Sequence, residues 1–358
     1  MAPRAVTLFG FALGSILFAM AGNTANAQQR PRVIVRPLLY PPNTAEETKR
    51  YLDEKVVTRV GIRWNQEGRA VDFAALYRPY AQMASLAYVD PKYSTPKLCP
   101  DADALSKTVG SDSLSGERVR LIRRLQHDKW NCVRGYVGPL ACPKAQPNCH
   151  PVRGLQLHVW VNKNNDCAIV FRGTDFTDIG DWISNFRWFN RLLPIADQYD
   201  QVGENIKGII RKHCPGRGAR VVTVGHSLGG GLAQFGAFKA PRVGYAYTFD
   251  PSPVTGFDVP RHDPVPGRKL GIDRVHEAGE ILATPRYLIG GFIPARNCRP
   301  YTRYVRFNTI LTGFGVFQHS MGAFTHQLER RAQLGNAAKT IGKETEKNCE
   351  IDPDRGLN

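Results

Sequence analysis

The sequence lacks the features that mark several protein classes. It has no internal repeat and no clear linker between its halves, so one large domain is favoured over two small ones. It has no signature of a nucleic-acid-binding module, so no nucleic-acid partner is expected. Its cysteines form no paired Cys-x-x-Cys knuckles, which argues against a zinc site.

Acidic residues are scarce beside basic ones. The chain has 31 Asp and Glu against 48 Lys and Arg, a formal net charge of +17. This balance predicts attraction to an anionic membrane surface or an acidic polymer, although scattered basic residues are also typical of a simply solvated surface.

The N-terminus has the order of a secretory signal peptide. Arg4 precedes an apolar run from Leu8 to Met20, and Ala25-Asn26-Ala27 offers a cleavage site. The run is short for a bilayer span and contains two glycines, so a membrane anchor is the weaker alternative. We expect residues 1–27 to be removed near Ala27 and residues 28–358 to be secreted or periplasmic.

All eight cysteines lie after this segment, and an even number in an oxidising compartment predicts disulfides. Their connectivity does not follow from the sequence. Cys132, Cys142 and Cys149 occupy a segment rich in Pro and Gly and are expected to staple a loop without a core of its own. The remaining cysteines are Cys99, Cys167, Cys214, Cys298 and Cys349.

Apolar, β-rich runs alternate with helical patterns, which predicts an α/β sandwich with a mostly parallel sheet and helices on both faces. The predicted strands are Leu155–Val161, Ala168–Phe171, Val221–Val224, Val243–Phe249, Ile272–His276 and Tyr304–Phe307, the first two forming a hairpin. The predicted helices are Asp72–Tyr88, Glu117–Gln126, Asp181–Phe189, Gln198–His213, Leu228–Lys239 and Ser320–Leu334. A single domain over residues 28–358 would then have an extended N-terminal wrap (28–70), a disulfide-rich insertion (about 89–150) and a C-terminal tail (about 335–358).

One serine lies where a predicted strand turns into a predicted helix. Gly225-His226-Ser227-Leu228-Gly229 is Gly-x-Ser-x-Gly in the strand–turn–helix context of a nucleophile elbow. The turn would expose the Ser227 hydroxyl, and the Leu228 N–H at the helix start would face an oxyanion. The alternative is a chance Gly/Ser pattern that only caps a helix.

A second oxyanion donor is expected from another loop, and Thr174 in Phe171–Asp175 follows a strand. At this point the residues resemble a family. Val170–Asp175, Asp181–Asn185 and Val224–Gly230 are similar to the corresponding blocks of class 3 lipases, the fungal triacylglycerol lipase type within the α/β-hydrolases.

The resemblance extends from about Phe73 to Leu328 and implies an exported serine esterase with an α/β-hydrolase fold, no cofactor and a short helical lid. It matches Ser227 to the nucleophile and Thr174 to the oxyanion donor. The lid would correspond to an apolar stripe formed by Trp182, Phe186, Phe189 and Leu193, which would otherwise be a core-facing helix.

A serine nucleophile needs a histidine base and a carboxylate to orient it, in the chain order Ser, acid, His. Four histidines follow Ser227. His262 lies among prolines too early for the base, and His276 lies inside a strand pattern. His319, at a loop-to-helix junction after the last predicted strand, is the expected base, and His326 is the alternative.

For the acid, six carboxylates compete: Asp250, Asp258, Asp263, Asp273, Glu277 and Glu280. Class 3 lipases carry an acid just past a strand, in a stretch that Arg274–Leu282 resembles with Glu in place of Asp. Glu280 is therefore the expected acid. Asp263, within Asp-Pro-Val-Pro, is the alternative.

These residues predict a serine carboxylester hydrolase that cleaves lipid or other small acyl esters through Ser227, His319 and Glu280, with no metal and no obligate protein partner. An amidase, peptidase or thioesterase would use the same machinery. The alternative function is a non-catalytic α/β-hydrolase scaffold that binds anionic lipid or polymer.

Overall fold

Helices and strands alternate along the residues that the computed structural model describes, which are 44–60, 63–108, 113–138, 154–173, 198–216, 218–252, 270–283, 301–310 and 315–338. The first half contains α1 (Ala45–Asp53), β1 (Lys55–Val60), β2 (Arg63–Arg69), α2 (Ala70–Leu86), α3 (Ala102–Ser106), α4 (Ser113–His127), β3 (Trp130–Val137), β4 (Gln156–Asn162) and β5 (Cys167–Phe171). The second half contains α5 (Gln198–His213), β6 (Val221–His226), α6 (Leu228–Lys239), β7 (Val243–Phe249), β8 (Gly271–Glu277), β9 (Tyr301–Phe307), α7 (Gly315–Gln318) and α8 (Met321–Ala332). All of these residues belong to one compact unit, Leu39–Asn358. Across the described ranges, no helix combines the length and apolarity that crossing a bilayer requires.

The strands form one mixed sheet in the order β2-β1-β9-β8-β7-β6-β5-β4-β3. The five strands from β5 to β9 are parallel to their neighbours. Both margins are antiparallel: β4 pairs with β5 and β3, and β1 pairs with β9 and β2. This topology confirms all six predicted strands, the β4–β5 hairpin and the α/β fold class.

Strand β5 shows why the sheet is covered on both faces. Its side chains are all buried, since Ala168 and Val170 join the apolar cluster under α2 and α8, whereas Ile169 and Phe171 join the cluster under α5 and α6. Burial of each large apolar side chain contributes about 1.5–3 kcal/mol. A continuous apolar run is therefore the expected sequence of a central parallel strand.

The predicted helices lie close to their observed bounds. Helices α5 and α6 begin and end at the predicted residues, and α8 is capped by Ser320, whose hydroxyl accepts from the Ala323 N–H at 3.3 Å. Helix α2 is continuous although Pro79, which can kink or split a helix, lies inside it. The predicted helix Asp181–Phe189 lies outside the described residues.

The prediction of an extended N-terminal wrap is wrong over residues 45–69. This stretch forms α1 and the β1–β2 hairpin, and β1 extends the sheet by pairing with β9. The segment at 89–150 also contributes more than a stapled loop, because β3 adds an edge strand beside β4. The sequences of β2 and β3 show no clear strand periodicity, because each strand is stabilised by pairing with its neighbour in the sheet.

Two disulfides connect described elements. Cys99 pairs with Cys132, and Cys167 at the start of β5 pairs with Cys214 at the end of α5. Cys142 and Cys149, which were expected to staple the same loop as Cys132, lie outside the described residues. Because disulfides persist where the surroundings are oxidising, these two indicate an oxidising compartment.

Candidate active site

Ser227 occupies a sharp turn between β6 and α6. Its φ of 57° and ψ of −126° are strained for a residue with a side chain, at a cost of about 1–3 kcal/mol. The surrounding backbone holds this turn: the Ser227 N–H donates to the Phe249 carbonyl at 3.0 Å, and the Ser252 N–H donates to the Ser227 carbonyl at 2.8 Å. Strain of this kind, imposed by neighbouring strands, is what the nucleophile-elbow motif predicts.

The two glycines of the motif are required by close backbone approach. A Cβ on Gly225 would lie 2.0 Å from the Gly229 carbonyl oxygen, and a Cβ on Gly229 would lie 2.4 Å from the Phe171 carbonyl oxygen. Any larger residue would therefore push the turn away from the end of β5. The elbow is packed directly against the segment where the second oxyanion donor was expected.

One of the two predicted oxyanion donors lies within the described residues. Leu228 is the first residue of α6, so its N–H has no acceptor inside the helix and points from a positive helix end. Thr174 lies outside the described residues. Its neighbour Gly173 lies against the elbow, since a Cβ there would approach the His226 carbonyl oxygen to 2.5 Å.

His319 and Glu280 form a buried pair. The His319 Nδ1 lies 2.7 Å from the Glu280 Oε2, and both side chains are 0% exposed. The same carboxylate oxygen accepts from the Leu282 N–H at 2.9 Å, which orients the carboxylate. A carboxylate on Nδ1 fixes the ring and directs Nε2 away from it, as a general base requires.

The carbonyl of Gly315 joins the loops that carry these two residues. It accepts from the Ile281 N–H at 3.0 Å and from the His319 N–H at 3.1 Å. Because one carbonyl accepts from both segments, it connects the Glu280 loop after β8 with His319 after α7.

Two other acid candidates within the described residues, Glu277 and Asp273, have separate partners. Glu277 accepts from the Thr309 hydroxyl and from the N–H groups of Thr309 and Ile310, and burial raises its pKa although these hydrogen bonds lower it. Asp273 accepts two hydrogen bonds from Arg303 and one from Tyr77. Asp258 and Asp263 lie outside the described residues.

His326, the alternative base, lies on α8 in a different environment. Burial, together with Arg330 and Arg331, lowers its pKa to about 4. These two arginines bind Glu47 and Glu54 of the N-terminal region. His276 is in β8 as predicted, and its ring stacks with Tyr304 at 6.0 Å; His262 lies outside the described residues.

His226, the variable residue of the motif, contacts the base and was not identified from the sequence. Its Nε2 lies 2.9 Å from the His319 carbonyl oxygen, and its Nδ1 lies 2.7 Å from the Tyr88 hydroxyl. The rings of His226 and His319 are 4.7 Å apart. No spacing rule joins residues 88, 226 and 319, so only the assembled fold reveals this contact.

A metal would have to compete with these hydrogen bonds. His226, Asp250 and His319 each offer a ligand atom, and these atoms all lie within 4.8 Å of one another. Both nitrogens of His226 already have partners, however, and the His319 Nδ1 binds Glu280. A metal ion bound there would break at least one of the contacts that orient the two rings.

Known proteins are similar to parts of this chain. Residues 148–263 match the family model of the Tle-like phospholipase domain. Lipase II from Rhizopus niveus is a solved structure with 14% sequence identity, a TM-score of 0.33, and coverage of 65% of this chain and 79% of that chain. No curated protein sequence matches the chain.

The family match includes Ser227, Leu228 and Thr174 and ends before Glu280 and His319. Membership of class 3 lipases specifically stays a prediction, because the matching family is described as phospholipase-like. With the sheet order and the Gly-x-Ser-x-Gly turn already described, the match supports a hydrolase of lipid esters.

Proposed function

We propose that the protein is an exported serine hydrolase that cleaves acyl esters of phospholipids. Ser227 is the nucleophile, His319 the base and Glu280 the acid that orients it. The observation that carries the proposal is the buried 2.7 Å contact between His319 and Glu280. The strained Ser227 directly follows His226, and the His319 ring packs against the His226 ring.

The reaction follows from these roles. The Ser227 Oγ attacks the ester carbonyl while His319 Nε2 takes its proton, and the carbonyl oxygen becomes negative. The N–H groups of Leu228 and Thr174 stabilise that oxyanion, and His319 then returns the proton to the leaving alcohol. Water, activated by the same histidine, hydrolyses the acyl-enzyme and releases the fatty acid.

Glu280 contributes without giving up its charge. Its Oε2 accepts from the ring and from the Leu282 N–H, so the carboxylate stabilises the imidazolium that forms during attack. Burial of both side chains strengthens this interaction, because the surrounding dielectric is low.

The phospholipid assignment rests on two features. The matching family is described as a Tle-like phospholipase domain, and the formal net charge of +17 favours anionic lipid surfaces. Export agrees with the disulfides, and the proposed signal peptide covers residues 1–27 with cleavage near Ala27.

The test compares the wild type with Ser227→Ala, His319→Gln and the matched control His326→Gln. Substrates are aryl esters of short and long acyl chains, an aryl amide, and phosphatidylglycerol vesicles; labelling by a fluorophosphonate is measured in parallel. We expect Ser227→Ala and His319→Gln each to lose about 10⁴-fold or more in kcat, and His326→Gln to behave as wild type.

Equal hydrolysis or labelling by wild type and Ser227→Ala would overturn the enzymatic proposal. Salt-dependent vesicle binding without hydrolysis would then identify the protein as a scaffold for anionic lipid. If His326→Gln loses activity and His319→Gln does not, the assignment of the base is wrong.

A further inference from the structure

We infer that His226 and Tyr88 are positioning residues that hold the base His319 at a fixed place relative to the nucleophile. The inference rests on the proposed function and adds two residues to its site. It starts from a single imidazole with partners on both sides: the Tyr88 hydroxyl at 2.7 Å from Nδ1 and the His319 carbonyl oxygen at 2.9 Å from Nε2.

The His319 carbonyl determines which nitrogen of the His226 ring carries a hydrogen. A carbonyl oxygen only accepts, so the His226 Nε2 carries a hydrogen and donates it to His319. His226 is 1% exposed, and burial disfavours the charged imidazolium, although the Asp250 carboxylate lies nearby. The neutral His226 ring therefore has no hydrogen on Nδ1, and this nitrogen accepts a hydrogen bond from the Tyr88 hydroxyl.

The location of the two bonds makes them relevant to catalysis. His226 is covalently joined to Ser227, and its ring binds the backbone of the base itself. The His319 ring packs over the His226 ring with centroids 4.7 Å apart and planes inclined by 41°. One imidazole therefore connects the backbone of the nucleophile to the backbone of the base.

Tyr88 extends this connection to the oxyanion side. It follows the C-terminal end of α2, where its N–H donates to the Ser85 carbonyl. Its ring lies 5.9 Å from the Arg172 guanidinium, and a Cβ on Gly173 would approach its hydroxyl oxygen to 2.4 Å. The Tyr88 hydroxyl thus lies between the end of β5 and His226 of the elbow. The chain continues from β5 to Thr174.

The expected consequence of losing these bonds is misplacement of the base without loss of substrate binding. A displacement of about 1 Å at a reacting group can cost 10²-fold in rate. The decrease should appear in kcat and in the rate of fluorophosphonate labelling, while KM stays unchanged, because neither side chain is assigned a substrate contact.

The test uses His226→Leu, which removes both bonds, and His226→Gln, which keeps an N–H donor at the position of Nε2. Tyr88→Phe removes only the hydroxyl, and Tyr80→Phe is the matched control, because Tyr80 is a buried tyrosine of α2 whose hydroxyl binds Arg220 away from the site. Thermal unfolding and circular dichroism are measured for every variant.

We expect His226→Leu to lose about 10²-fold in kcat and labelling rate, with His226→Gln and Tyr88→Phe each within about 10-fold of wild type. Tyr80→Phe should equal wild type. In ¹⁵N spectra of the imidazoles, His226 should show a bare Nδ1 in the wild type, and its resonance should shift in Tyr88→Phe.

A folded His226→Leu that labels and turns over as wild type would overturn the inference, and so would a protonated Nδ1 on His226. If His226→Leu does not fold, the imidazole spectrum and the rates of His226→Gln and Tyr88→Phe test the inference. A Tyr88→Phe variant with the wild-type spectrum and the wild-type rates also overturns it. Failure of the wild type itself to label would reject the proposed function, and the imidazole spectrum would still test the two hydrogen bonds.

Discussion

Glu280 is longer by one methylene group than the aspartate expected from the class 3 resemblance, and its oxygen still lies 2.7 Å from the histidine. Two hydrogen bonds hold its loop, since the Leu282 N–H binds the same oxygen and the Ile281 N–H binds the Gly315 carbonyl. Glu280 lies in a tight turn. Gly279, with a φ of +78°, provides the left-handed residue that begins this turn.

Replacing this carboxylate tests its role at the scale of one residue. Glu280→Gln keeps the shape and removes the charge, so the ring can adopt the wrong tautomer; we expect kcat to decrease about 10³–10⁴-fold with little change in KM. Steady-state kinetics on an aryl ester measures both constants. Asp250→Asn is the comparison, because Asp250 is the other carboxylate near His319; if it loses more activity than Glu280→Gln, the acid has been misassigned.

Elements that carry their own signal were predictable from the sequence. The elbow was found because the turn geometry, the two glycines and the apolar runs on either side are all local. The contact between Glu280 and His319 was expected only because the resemblance supplied a pattern for Arg274–Leu282. Strands β1, β2 and β3 were missed, since Arg63–Arg69 is polar and Lys55–Val60 and Trp130–Val137 lack a strict apolar–polar alternation; each becomes a strand by pairing with a neighbour.

A buried ion pair and a tyrosine hydroxyl connect β8, β9 and α2. Arg303 of β9 donates to both oxygens of Asp273 of β8, at 2.9 and 2.6 Å, and Tyr77 of α2 donates to the same carboxylate. Burial alone would lower the pKa of Arg303, but the adjacent carboxylate raises it overall. Arg303 therefore stays charged beside Asp273, which is 0% exposed.

Arg303→Met should leave the Asp273 carboxylate buried without its cation, at a cost of about 3–5 kcal/mol in the free energy of unfolding. The double variant Asp273→Val/Arg303→Met removes both charges and should be more stable than the single variant. Urea unfolding followed by circular dichroism measures the difference. A single variant within about 1 kcal/mol of wild type would show that water or another group neutralises Asp273.

At the scale of the whole molecule, two buried histidines among the described residues make stability depend on pH. Burial lowers the pKa of His158 and of His326 to about 4, with help from Arg172 at His158 and from Arg330 and Arg331 at His326. The unfolded chain takes up these protons near pH 6.5, so it binds more protons than the folded chain between about pH 6.5 and 4. Stability should therefore decrease as the pH falls through this window, while Glu277, whose pKa burial raises, acts in the opposite direction.

We expect each histidine to contribute at most ~1.4 kcal/mol per pH unit within that window and nothing above it. His158→Gln and His326→Gln should each flatten the decline in urea midpoint between pH 7 and 4.5. Parallel curves for wild type and both variants would mean that neither ring is kept neutral by the fold.

The β1–β2 hairpin has a consequence for shortened forms of this protein. Strand β1 occupies the ladder of hydrogen bonds beside β9, the strand that leads toward His319. A chain that began at Ala70 would leave those N–H and C=O groups open to solvent, and an unprotected edge recruits strands from other molecules. Such a chain would self-associate through the exposed edge of β9.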